Sequence, residues 1–209
     1  MRTKPGRLGL LSLVLLILIG CAKAPQAEKE SATQALEAAR KAEAEIYAPA
    51  AWRAAVDTVA SADRELSAQQ KKFALARKFD RAKTLYVEGE RLAHRAEQSA
   101  GEGKEAARTE AVSLLEDLEA MTARMHELFD SDRGRSMLSS SRTRSGMEGL
   151  QTELGQIETG MAALRSALEK EAYQDALLVG RPAHDQAESV LADLEEAIET
   201  GVVPIREEK

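Results

Sequence analysis

The sequence predicts an all-α fold of elongated antiparallel helical hairpins forming a coiled-coil-like bundle, and three features carry that expectation. Apolar residues recur at intervals of three, four and seven along most of the chain, the spacing of one helix face. Aromatic residues make up only 3% of the sequence, and alanine fills many inward positions, which suits narrow seams between two or three helices rather than a thick core. Proline at 49 and a Gly, Ser and Arg stretch at 131–146 punctuate the periodic segments.

The first element lies ahead of the helices. Arg2, Lys4 and Arg7 precede a twelve-residue run from Leu8 to Ile19 that is apolar except for Gly9 and Ser12. That layout is expected of a secretory signal peptide over residues 1–20, since a membrane span needs roughly 20 apolar residues. The run closes on Leu18-Ile19-Gly20-Cys21, which resembles the lipobox of bacterial lipoproteins. The resemblance implies diacylglycerol transfer to the Cys21 thiol, cleavage between Gly20 and Cys21, and N-acylation of the new amine by a fatty acid such as palmitate. Each buried methylene contributes about 0.8 kcal/mol, so two or more chains give stable anchoring. Residue 22 is Ala; the Asp that typically retains enterobacterial lipoproteins at the inner membrane is missing, so the resemblance favours the outer membrane, facing the periplasm. With one cysteine in the chain, no internal disulfide forms.

Loss of the leader takes away three basic residues and no acidic ones, so 29 Lys and Arg become 26 against 35 Asp and Glu. The two signs are interspersed along helix faces, which argues against nucleic acid as a partner. Residues 21–30 show little periodicity and read as a lipidated flexible tether.

The first long helical hairpin is expected over 31–130. It opens with a helix over 31–48 whose apolar side is Leu36, Ala39, Ile46 and Tyr47, and Pro49 then starts a second helix or kinks a continuous one. Trp52, Val59, Leu66 and Phe73 recur by seven. From Phe79 an unbroken series runs through Tyr86, Ala93, Ala100, Ala107, Leu114 and Met121 to Leu128, marking the longest helix. Gly101 and Gly103 weaken it by about 1 kcal/mol each relative to Ala. Gly89 and Gly103, however, fall on the inward side, where glycine allows close approach, so one helix over 79–130 is expected. A turn near Lys78 would set Leu66 near Leu92 and Trp52 opposite the region from Gly101 to Ala107.

Residues 131–146 lack periodicity and form the expected loop. Its Arg133, Arg135, Arg142 and Arg144 are the candidate interaction residues, able to meet lipid phosphates, anionic lipids or an acidic partner. The second hairpin is expected over 147–200. Met147, Leu154, Met161 and Leu168 interleave with Leu150, Ile157 and Leu164, and Tyr173, Ala176, Gly180, Ala183, Ala187, Val190, Leu194 and Ala197 face inward from the last helix. Pro182 is expected to kink or divide that helix, and Gly201 to end it before a tail at 201–209. A weak repeat at an offset of 94 aligns Phe79 with Tyr173, suggesting that each hairpin turns just before its aromatic residue.

No residue set points to catalysis. Ser139, Ser140 and Ser141 lack a nucleophile context. His94, His126 and His184 have carboxylate neighbours, but the Glu-x-x-His pairs of di-iron bundles are missing from the sequence. The histidines read as surface pairs and no metal is expected. The methionines at 121, 125, 147 and 161 read as seam packing.

Residues 35–100, with Tyr47-Ala48-Pro49, Trp52 and the hairpin through Phe79 and Ala82, resemble an uncharacterised alanine-rich bacterial lipoprotein family defined as a domain of unknown function. Some of its members carry a peptidoglycan-binding domain of the outer-membrane-protein-A type. None is visible in this sequence, so that activity is not carried over. The expectation is a lipid-anchored, non-catalytic envelope protein acting as scaffold, spacer or adaptor, with an envelope protein as partner and no cofactor beyond the acyl groups on Cys21. The alternative is a carrier or sensor of a small apolar ligand held between helices. Homo-oligomerisation through the helical seams stays open.

Overall fold

The protein is seen in a computed structural model that describes residues 23–203. Residues 1–22, which include the expected leader and Cys21, and residues 204–209 lie outside the described residues. The fold is all-α: seven α-helices and one 3-10 turn are formed, with no strand among the described residues. The chain divides into two compact units that meet in sequence at Gly103 and Lys104.

The first unit contains α1 (Gln26–Lys41), the short α2 (Ala44–Tyr47), α3 (Pro49–Gln70), a 3-10 turn (Ala74–Ala76) and residues 80–103 of α4 (Asp80–Asp130). Helix α1 overturns much of the expected tether. It begins at Gln26, with Pro25 and Ala32 buried and Lys29 bonded to Asp63 at 2.6 Å. Gln-Ala-Glu-Lys-Glu consists of good helix formers, and ion pairs dock it where large apolar groups are few. The helix expected over 31–48 is broken at Ala42 and Glu43, where Glu43 takes a left-handed φ of 61°. That break leaves Ile46 54% exposed rather than inward. Pro49 occupies the first turn of α3, where its missing N–H costs no helical bond.

Alanine makes the seams of this unit. Ala39, Ala44, Ala48, Ala96 and Ala100 form one buried cluster, on which Tyr47 and Trp52 pack. Val59, Ala62, Leu66, Phe79, Ala82 and Tyr86 belong to another. The register differs from the expected one. A Cβ on Gly89 would lie 2.5 Å from Val59 Cγ2, so the hairpin centres midway between 59 and 89, near residue 74. Leu66 therefore joins Phe79 and Ala82 rather than Leu92, and Tyr47 rather than Trp52 faces Gly103. The connection spans residues 71–79 instead of turning tightly at Lys78, which displaces every pairing.

The second unit holds residues 104–130 of α4, α5 (Asp132–Ser139), α6 (Arg144–Glu169) and α7 (Tyr173–Thr200). The loop expected over 131–146 is largely helical. Ser131 caps α5, its Oγ accepting from Gly134 N at 3.0 Å, and Met137 is buried. A Cβ on Gly134 would meet the backbone oxygens of Leu128 and Phe129, so glycine serves there as a close-approach residue rather than a loop marker.

Helices α6 and α7 pair around a tight turn at 170–172, just ahead of Tyr173 as the repeat suggested. All eight inward positions expected on α7 are buried. On α6, Met147, Leu150, Leu154, Ile157 and Leu164 are buried while Met161 and Leu168 are half-buried. Pro182 does not divide α7. It is exposed, and the carbonyl it leaves without an N–H partner belongs to Leu178, itself 75% exposed.

Helix α4 is continuous for 51 residues, as its heptads imply. The buried positions nevertheless drift off the heptad. Beyond Ala107, Ala111, Leu118, Thr122 and Met125 are buried while the heptad positions Leu114 and Met121 are half-buried, and at the end of the helix Leu128 and its neighbour Phe129 are both buried. A helix of 3.6 residues per turn slips about 20° per heptad, and the slip reaches one residue over about five heptads.

Candidate functional site

The candidate site is the N-terminal end of the first unit, where the expected lipid-bearing residue meets the folded chain. Cys21 and Gly20 lie outside the described residues, but the residues just after them are held in place. Ala24 packs against the cluster containing Leu66 and Tyr86, and its carbonyl accepts from Gln26 N at 2.8 Å. Pro25 O accepts from Lys29 N at 3.0 Å, which ties the start of α1 to its first turn. Lys23 to Pro25 line a hollow shared with Arg77, Lys78 and Phe79 from the hairpin connection.

Ion pairs brace this end. Lys83 Nζ lies 2.9 Å from Glu28 Oε1, and the hydrogen bond from Lys83 holds the Glu28 carboxyl below its ordinary range. Asp63 receives both the Lys29 ammonium and the Tyr86 hydroxyl at 2.6 Å. Burial alone would raise the Asp63 pKa, but those two bonds outweigh it and leave it lowered. Burial, and then the bond to Asp63, push the Tyr86 phenol well above its ordinary value. Sequence reasoning missed this node because Asp63 and Tyr86 are 23 residues apart and meet only across the hairpin.

The four arginines do not converge as an open basic loop. Arg144 donates from Nε to Leu138 O at 3.0 Å and from Nη2 to Ser139 O at 3.2 Å, closing the C-terminus of α5. Arg133 donates to Glu199 O at 3.0 Å, near the end of α7, and Arg135 pairs with Asp132 at 2.9 Å. Arg142 is exposed on the turn between α5 and α6. Three of the four thus serve local structure through the backbone or a neighbouring acid.

The histidines sit beside the seams, as their sequence positions indicate. His94 approaches Glu97 at 3.4 Å on its own helix, and His126 Nε2 lies 2.8 Å from Glu158 Oε1 across α4 and α6. His184, Asp185 and Glu188 bring ligand atoms within 4.8 Å of one another, and Asp117 Oδ2 stands 4.0 Å from His184 Nε2. Asp185 and Glu188 are exposed, the arrangement of a surface ion-pair group. Arg165 with Glu119 and Arg181 with Glu110, each at 2.6 Å, add to the charged exterior of the second unit.

Among the described residues, no helix is long and apolar enough to cross a membrane. Compared with protein-family profiles, curated proteins and solved structures, the chain matches none. The family resemblance of residues 35–100 accordingly rests on the residues that carry it.

Proposed function

We propose that this is a lipid-anchored, non-catalytic helical protein of the bacterial envelope, serving as scaffold, spacer or adaptor for other envelope components. Its anchor is diacylglycerol with an N-acyl chain on Cys21, and its place is the periplasmic face of the outer membrane. The observation that carries this reading is Leu18-Ile19-Gly20-Cys21 closing an apolar run headed by Arg2, Lys4 and Arg7.

Two features of the fold support it. Helix α1 begins five residues after Cys21, so a lipid there would hold the first unit close to the bilayer. The inward positions are filled by side chains, alanine in the first unit and mainly Leu, Ile and Met in the second, which favours a docking body over a carrier of small apolar ligands. What faces outward is mixed charge along the helices, a surface suited to polar recognition of other proteins.

In-cell crosslinking of the intact chain, followed by affinity recovery from membranes, tests the reading. Recovery of the same envelope proteins from wild type but not from Cys21→Ser is expected. Identical recovery from both would separate interaction from anchoring and contradict the adaptor role as stated.

A further inference from the structure

We propose that the tip of the first hairpin, residues 71–78, docks on an anionic lipid surface with Phe73 and Leu75 inserted among the acyl chains. The proposal deepens the lipid-anchored reading and rests on it for the position of the bilayer.

The tip presents what a soluble surface avoids. Phe73 is 90% exposed and Leu75 82% exposed, in a protein with only three phenylalanines. They stand between Lys71 and Lys72 on one side and Arg77 and Lys78 on the other, with no acidic residue in the eight, although the chain as a whole carries a formal charge of −6. Two apolar side chains bracketed by cations match the layered chemistry of a bilayer interface, with acyl chains below and anionic headgroups around.

The connection is also built to hold that presentation. Arg77 donates from Nε to Lys72 O and from Nη2 to Gln70 O, each at 3.0 Å, bridging the base of the loop. The buried Gln69 accepts from Lys78 N at 3.1 Å. Two acids line the hollow beside Arg77 and Lys78: Glu28, which is paired with Lys83, and Asp80, which opens α4 beyond the tip.

Position decides between lipid and another partner. Lys23 and Pro25 line the same hollow as Arg77 and Lys78, so the chain enters the first unit beside the tip. Cys21 precedes Lys23 by two residues, which span at most about 7 Å. Acyl chains on Cys21 therefore enter the bilayer at the end of the unit where Phe73 and Leu75 protrude, and a second contact there fixes the unit's orientation on the membrane, which a single flexible attachment cannot do.

The test uses the full chain made in a lipoprotein-processing bacterium and reconstituted into vesicles. Trp52, the sole tryptophan, is replaced by Phe, and Phe73→Trp or Leu75→Trp places the reporter at the tip, with circular dichroism verifying the fold. In vesicles containing phosphatidylglycerol, tip emission shifts to the blue and is quenched by bromine-labelled acyl chains, whereas native Trp52 in the otherwise unchanged protein is not quenched. Both effects are lost in pure phosphatidylcholine and on changing Lys71, Lys72 and Lys78 to Gln, each lost charge weakening surface attraction roughly fivefold. Emission that stays water-like in anionic vesicles, while mass spectrometry shows acylated Cys21, overturns the tip proposal and leaves the anchor standing. A quenched tip on a chain whose Cys21 is unmodified does the reverse. Equal quenching in both vesicle types overturns the anionic-surface proposal.

Discussion

Tyr86 donates its phenolic proton to the Asp63 carboxylate across 2.6 Å, and Lys29 reaches the same oxygen at the same distance. One carboxylate thereby links α1, α3 and α4 at the end of the unit where the chain enters. Tyr86 has no exposed surface, whereas the Asp63 side chain keeps 45% of its own, so water screens the ion pair but not the ring. Tyr86→Phe removes the bond while retaining the packing. A loss of about 1 kcal/mol is expected in urea unfolding, the lower end for a bond to a charged group once screening is counted.

The same carboxylate makes stability depend on acid. Burial alone would raise the Asp63 pKa, yet the bonds from Lys29 and Tyr86 leave it lowered. An unfolded aspartate titrates near about pH 3.9. Below that value the unfolded chain binds the proton first, so the stabilisation is present in full above it and is lost as pH falls through the lower folded value. Asp63→Asn should be less stable than wild type at neutral pH, and the gap should close on acidification below about pH 4. Denaturant melts across that range measure it; a gap independent of pH would assign the stability to packing alone.

Gly101 and Gly103 lie two residues apart in α4 and should respond oppositely to alanine. A Cβ at Gly103 would stand 2.5 Å from the Tyr47 carbonyl oxygen, a backbone atom held at the end of α2, while a Cβ at Gly101 meets nothing within 4 Å. Gly101→Ala should stabilise by up to about 1 kcal/mol through helix propensity. Gly103→Ala should destabilise by roughly 1–3 kcal/mol through overpacking. Thermal melts of the two variants decide the matter, and equal shifts would remove the close approach of Tyr47.

In the second unit, Leu164 is fully buried, and its terminal methyls would lie 3.3 Å from a Cβ on Gly180. Leu164→Ala should cost about 2–5 kcal/mol as a cavity opens between α6 and α7. Leu178, on the outer face of α7 and 75% exposed, should tolerate Ala with a change within about 0.5 kcal/mol. Comparable losses at both positions would mean the seam lies elsewhere.

The inward faces of α6, of α7 and of α4 as far as Ala107 were legible because a buried stripe writes its period into the sequence, as the fully buried Tyr86, Ile157 and Val190 show. Pro49 was legible as a helix start for the same local reason. The body of α1 from residue 31 was legible too, but its first turn was not, since Lys29 and Glu28 dock it through ion pairs that no periodicity announces. Helix α5 was concealed by Ser131 and Gly134, a cap and a close-approach glycine that resemble loop residues when read alone. The hairpin register depended on the nine residues from Lys71 to Phe79, whose path is set by Arg77 and Gln69 binding the backbone rather than by a recognisable turn sequence. Of the candidate site, Cys21 is proposed from the sequence alone and lies outside the described residues, whereas the Asp63 node and the exposed Phe73 and Leu75 emerged only with the fold.

The measurement that bears most directly on the whole account is the intact mass and N-terminal peptide of the protein purified from bacterial membranes. A mature chain beginning at Cys21, heavier by a thioether-linked diacylglycerol with or without an N-acyl group and returned to the soluble fraction by Cys21→Ser, is the predicted result. A chain beginning elsewhere, or one whose Cys21 is a free thiol, would contradict it.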